Sequence, residues 1–179
     1  MRSGHQHPQA SPRAATTSIA TPPRLTFRSA VWLVPTCFAL HVLEESNGFT
    51  GWAQRHGRPD YSSADFVQIN AAGLLLTGAA TLAVTRWRGR RLLAAYYALI
   101  LTQQALFNPV FHVGSTVVYR DWSPGTATAV LLFLPLWWHL TRLGLRDGSL
   151  DSRGVALAIG AGGVVHGAAV AQQVYGLGS

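Results

Sequence analysis

Five apolar stretches run over residues 28–46, 64–85, 91–113, 125–142 and 154–176. Each comes close to the ~20 residues that a helix needs to cross the hydrocarbon core of a bilayer. Hydrocarbon offers backbone N–H and C=O groups no water, so a chain with this pattern must satisfy them internally, and stretches of this length do so as helices. The expected fold is therefore an all-α, polytopic membrane bundle of about five transmembrane helices over 28–179. Pro35 and Pro109 interrupt the first and third stretches, which membrane helices tolerate where neighbours satisfy the freed carbonyls.

Charge fits the same frame. Only 12% of the residues are charged, against about 25% in an ordinary soluble domain. The net charge of +7 would suit a nucleic-acid binder, but all 14 basic residues are Arg and they cluster between the apolar runs. That is the footprint of helix-flanking charge, and nucleic acid is not expected as a partner. Eleven arginines flank one side of the five stretches and only Arg55, Arg58 and Arg120 the other. The positive-inside rule then puts the N-terminus in the cytoplasm, in what the lysine-free composition suggests is a bacterial cytoplasmic membrane. Residues 1–27 are rich in Ser, Thr, Pro, Arg and His without periodicity and read as a disordered basic tail. Trp52, Trp87, Trp122, Trp137 and Trp138 lie near span ends, where indole rings favour the interface. Cys37 is the only cysteine; it reads as a packing residue and excludes a disulfide framework.

Ionisable residues fall inside the first span, in the run His41-Val42-Leu43-Glu44-Glu45. A rise of 1.5 Å per residue puts His41 roughly 20 Å, and His166 of the fifth span roughly 18 Å, from the same side. The alternating direction of the spans puts Asn108 and His112 in the outer third of the third span and Asn70 near the outer end of the second. One polar cluster is expected in the outer half of the bilayer, made from His41, Glu44, Glu45, Asn70, Asn108, His112 and His166. Residues three and four apart share a helical face, so Glu44 and Glu45 both flank the face carrying His41, and Asn108 shares a face with His112. A charge in hydrocarbon is costly, and intramembrane ionisable residues are functional by default. Glu45 lies either within the bilayer or at its surface. The glycines of the fifth span, Gly154, Gly160, Gly162, Gly163 and Gly167, suit close helix packing. Gln103-Gln104 and Gln172-Gln173 suit either a polar cavity or interhelical hydrogen bonds.

Two blocks carry a resemblance. Phe38-Ala39-Leu40-His41-Val42-Leu43-Glu44-Glu45 looks like the signature of the HXXEE-motif family of small bacterial membrane proteins. Phe107-Asn108-Pro109-Val110-Phe111-His112-Val113-Gly114, followed by the turn through Tyr119, Pro124-Gly125 and Thr128, resembles that family's downstream pattern. The likeness spans roughly residues 30 to 142. It implies a helical membrane fold and singles out His41, Glu44, Glu45, Asn108 and His112, without supplying a reaction.

The leading expectation is a membrane enzyme in which His41, Glu44, Glu45, Asn108, His112 and His166 perform acid–base chemistry on a lipophilic small molecule. Isomerisation, epoxide opening and cyclisation are the reaction types considered, with Asn70 and Tyr119 binding substrate. Two adjacent carboxyls suit a division of labour in which one holds a proton and the other is ionised. No cofactor is favoured; the alternative is a divalent metal held by His41, Glu44, Glu45, His112 and His166, since imidazole and carboxylate ligands suit zinc or iron. A third reading is a proton or cation relay in a small transporter or accessory subunit. The expected partners are the lipid bilayer and a lipophilic substrate.

Overall fold

The computed structural model describes residues 25–177, which are all-helical apart from turns and short connections. Residues 1–24 of the expected basic tail lie outside the described residues. The expected end of that tail is corrected: Thr26 caps a short helix α1, Phe27–Ala30, through a capping box with Ser29, and Phe27 is fully buried. The chain turns at Val31 and Trp32 and enters α2, Leu33–Glu45, whose 13 residues span about 20 Å. Pro35 therefore sits in the first turn of a helix, where its missing N–H breaks no intrahelical bond. A short helix α3, Phe49–His56, follows.

The helix α4, Ser63–Arg86, starts on a capping box between Ser62 and Asp65. The helix α5 is continuous but changes pitch: Arg90–Tyr96 is α-helical, Tyr97–Phe107 π-helical and Asn108–Tyr119 α-helical again. The helix α6, Thr126–Arg146, has a π-helical segment of its own at Ala129–Phe133. Each wide segment ends within two residues of a proline, Pro109 or Pro135. A proline ring clashes with the carbonyl four residues back in an α-helix, and a wider turn relieves that clash. The last helix, α7, is Ser152–Gln173, capped by Asp151 accepting from the Gly154 amide at 2.7 Å.

Helices α4, α6 and α7 are long and apolar enough to cross a membrane. Their outward faces carry Leu75, Leu76, Val130, Leu131, Leu157 and Val164, all exposed, the inverse of a soluble bundle and suited to lipid as the outer solvent. Inside, Val31, Val34, Tyr97, Leu101, Phe133 and Leu140 join one core. A second, aromatic cluster forms around Phe49, Trp52, Tyr61 and Phe66. The interfacial reading of Trp52 is thereby corrected: its ring is fully buried among Phe49, His56, Phe111 and Tyr119, whereas Trp87, Trp122 and Trp138 are exposed. Helix α7 lies along the π-helical part of α5. A Cβ on Gly162 would stand 3.0 Å from the Ala98 carbonyl oxygen, and one on Gly163 2.9 Å from the Phe107 ring, so two of the five glycines make this approach. Gly160 and Gly167 face open space.

Candidate functional site: a buried His, Glu and His centre on a cavity

Helix α2 supplies His41 and Glu45, one turn apart, and α5 supplies His112. All three are buried. His41 Nε2 lies 3.5 Å and His112 Nε2 3.3 Å from the same oxygen, Oε1 of Glu45. The imidazole rings meet edge to face with centroids 5.0 Å apart, and Phe133 packs on His41 at 4.9 Å. Of the two glutamates, Glu45 at i+4 faces His41.

Glu44 turns the other way and closes the N-terminus of α6. Its Oε1 accepts from the Ala127 amide at 3.1 Å, and its Oε2 accepts from the Thr128 amide at 2.7 Å and the Thr128 hydroxyl at 2.5 Å. These are the first free amides of α6, where orphan donors and the helix dipole both favour a carboxylate. Glu44 is thus a helix cap contributed by a different helix.

The cap also sets a tautomer. Thr128 gives its proton to Glu44, so the contact at 2.8 Å between His41 Nδ1 and Thr128 Oγ1 is one in which the imidazole N–H donates. A neutral His41 then presents a lone pair at Nε2, aimed at Glu45. His112 Nδ1 pairs with Ser123 Oγ at 2.9 Å, and Ser123 is itself held by its amide donating to Thr116 Oγ1 at 3.1 Å. Neither Nε2 has a hydrogen-bond partner among the described residues.

Gly125 closes the site from the α6 side. Its φ of +102° belongs to glycine, and a Cβ there would stand 2.7 Å from Cε1 of both His41 and His112 and 3.0 Å from Glu45 Cγ. Gly125 and Thr128 belong to the turn that resembles the family's downstream pattern, and Ser123 precedes its Pro124; the sequence signal for all three is Pro-Gly beside hydroxyl residues at a helix start.

Glu45 and His112 face a cavity of about 530 Å³ between α4, α5 and α7, whose wall also carries Gln68, Asn70, Gln103, Gln104, Asn108 and His166. His166 donates from Nδ1 to Gln103 Oε1 at 3.3 Å. The expected meeting of His166 with His41 is corrected: the ring beside His166 is Phe111, with centroids 6.3 Å apart, and His166 belongs to the facing wall. Asn70 lines the cavity while donating to the Phe66 carbonyl oxygen at 3.0 Å. Tyr119 stands apart, stacked on His56 at 4.5 Å and hydrogen-bonded to Tyr175 at 3.1 Å, with no place on the cavity wall. Leu76, Leu99, Ile100 and Val165 also line a second, apolar cavity of about 390 Å³ that continues past Ala80, Val84 and Leu92. Leu76 and Leu99 are exposed.

Outside the helices, Asp121 holds the turn between α5 and α6 against α3, accepting from Arg55 at 2.8 Å and His56 at 2.7 Å. Arg55 first and His56 second keep its carboxyl below the usual range.

A family model described as "protein of unknown function with HXXEE motif" matches residues 32–139. The chain belongs to this HXXEE-motif family. The motif's His41, Glu44 and Glu45 are thereby distinguished structurally, as a centre residue, a helix cap and a second centre residue. No curated protein and no solved structure matches the chain.

Proposed function

We propose that this HXXEE-motif protein is a membrane-embedded enzyme that moves a proton to or from a lipophilic small molecule, in an isomerisation, an epoxide opening or a cyclisation. The supporting observation is the pairing of the buried centre with its cavity: Glu45 and His112 form part of the wall of a mainly apolar cavity that carries polar side chains at Gln103, Asn108 and His166 and shares Leu76, Leu99, Ile100 and Val165 with a second, apolar cavity. A molecule with a polar head and an apolar body fits both parts, entering sideways from the bilayer. His41 lies behind Glu45 and His112 and acts through them, while Asn108 and His166 face the bound head. His166 Nε2 has no partner among the described residues, and its Nδ1 carries the proton, so it offers an acceptor to a substrate hydroxyl or N–H.

In this reading the chain crosses the bacterial cytoplasmic membrane five times, α2 and α5 joining the three long helices, with the N-terminus inside. The eleven-to-three division of arginines supports that orientation. The test uses the native host with the gene deleted and complemented. Lipid extracts of cells carrying wild type and His112→Ala are compared by mass spectrometry, with membrane levels of both proteins measured. A lipophilic compound that is consumed or formed only with wild type supports the proposal. Identical extracts at equal protein levels overturn it.

A further inference from the structure

We infer that His41 Nε2, His112 Nε2 and one carboxylate oxygen of Glu45 form a three-ligand site for a four-coordinate divalent cation of the zinc type, with the fourth position turned to the cavity.

Three observations carry this. The first is separation. Bonds of about 2.0–2.2 Å from zinc to nitrogen or oxygen place two ligands of a tetrahedral ion about 3.3–3.6 Å apart, whereas neighbouring ligands of an octahedral ion stand about 2.8–3.1 Å apart. The two distances to Glu45 Oε1 are 3.3 and 3.5 Å. They fall on the tetrahedral edge, beyond the ordinary 2.7–3.2 Å of an N–H···O hydrogen bond. All three donors lie within 4.8 Å of one another.

The second is the tautomer. Thr128 holds a proton on His41 Nδ1, so in the neutral ring the Nε2 lone pair faces a buried carboxylate. That arrangement is repulsive unless a proton or a metal ion stands between them, and the 3.3 and 3.5 Å separations suit the ion. One divalent ion satisfies both imidazoles and the carboxylate together.

The third is the surrounding support. Metal-bound histidines characteristically donate their other N–H to an oxygen that fixes the ring. His41 has Thr128, whose hydroxyl is held by Glu44; His112 Nδ1 pairs with Ser123 Oγ, an oxygen that serves in the same way when the imidazole is the donor. Two histidines and one glutamate with an open fourth position are also the ligand set of one class of catalytic zinc site. His166 is excluded as a ligand by its pairing with Gln103 and its place on the facing wall, and Glu44 by its role as the α6 cap. A cation there would polarise a substrate oxygen or lower the pKa of bound water.

This inference shares its site with the proposed function, but its test reads metal and not turnover. The full-length chain, purified in mild detergent without chelator or polyhistidine tag, is loaded with zinc, dialysed and analysed for elemental content. Wild type, His166→Ala and a His5→Ala/His7→Ala double variant are expected to retain about one zinc per chain. Glu45→Gln and His112→Ala are expected to bind zinc at least tenfold more weakly. Should those variants fail to fold, cobalt-loaded wild type decides: intense visible bands of a four-coordinate ion support the site, and a weak six-coordinate spectrum overturns it. Retention below a tenth of an equivalent by folded wild type, retention lost with the tail histidines, or stoichiometric iron in preference to zinc also overturns it. Zinc bound without any lipid conversion would remove the enzyme and leave the metal site; conversion by a metal-free chain would do the reverse.

Discussion

One added methyl group at Gly125 should act directly on the His41, Glu45 and His112 centre. The Gly125 φ of +102° is unfavourable for any L side chain, which costs about 1–2 kcal/mol. The methyl group of Gly125→Ala would also arrive 2.7 Å from Cε1 of both His41 and His112 and 3.0 Å from Glu45 Cγ. None of these is the free end of a flexible chain: both rings are hydrogen-bonded at Nδ1. Overpacking of this kind costs about 1–3 kcal/mol, so the total loss is about 2–5 kcal/mol. Gly148 provides the control, with a φ of +72° and nothing within 4 Å of its Cβ position; Gly148→Ala should lose only the backbone part. Reversible unfolding of both variants in mixed detergent micelles measures the difference. If Gly125→Ala lies within about 0.5 kcal/mol of Gly148→Ala, the centre is not packed against this turn as described.

Glu44→Gln keeps the shape of the α6 cap but removes the charge that accepts three hydrogen bonds; about 1–3 kcal/mol of stability should be lost, read in the same unfolding assay. Gly163→Leu drives a side chain into Phe107 and should separate α7 from α5, detectable as lost cross-linking between cysteines placed on the two helices, whereas Gly160→Leu, facing open space, should leave it intact. Asp121 has a lowered carboxyl pKa in the folded state, so its stabilisation is present above the ordinary carboxylate range near pH 4 and is lost as pH falls through the folded value. Hydrogen exchange in residues 120–125 should rise on that acid side, and Asp121→Asn should remove the pH dependence.

The helical class was legible because apolar runs near the length of a bilayer span leave few alternatives. The boundaries of α4, α6 and α7 fall within a few residues of those runs; Ser62 and Asp151 cap the starts of α4 and α7. Depth arithmetic also placed His41 and His112 in one polar cluster in the outer half of the bilayer. Which glutamate faces His41 was not legible: i+3 and i+4 flank a helical face equally, and the choice rests on Glu44 capping α6, which lies 83 residues away along the chain. Trp52 was misplaced because α3 is short enough to fold inward over the aromatic cluster, and span-end position alone cannot distinguish that from the interface. His166 matched His41 in depth, yet depth fixes only one coordinate; rotation of α7, set by Gly162 and Gly163 against α5, turns it toward Gln103 instead.

The most direct test of the account separates the two adjacent glutamates. Glu44→Gln and Glu45→Gln are each introduced into the complemented host, and both membrane abundance and conversion of the lipophilic compound are measured. The account predicts that Glu45→Gln abolishes conversion at near wild-type abundance, while Glu44→Gln lowers abundance but retains conversion per folded molecule. Conversion that survives Glu45→Gln and disappears with Glu44→Gln would contradict it.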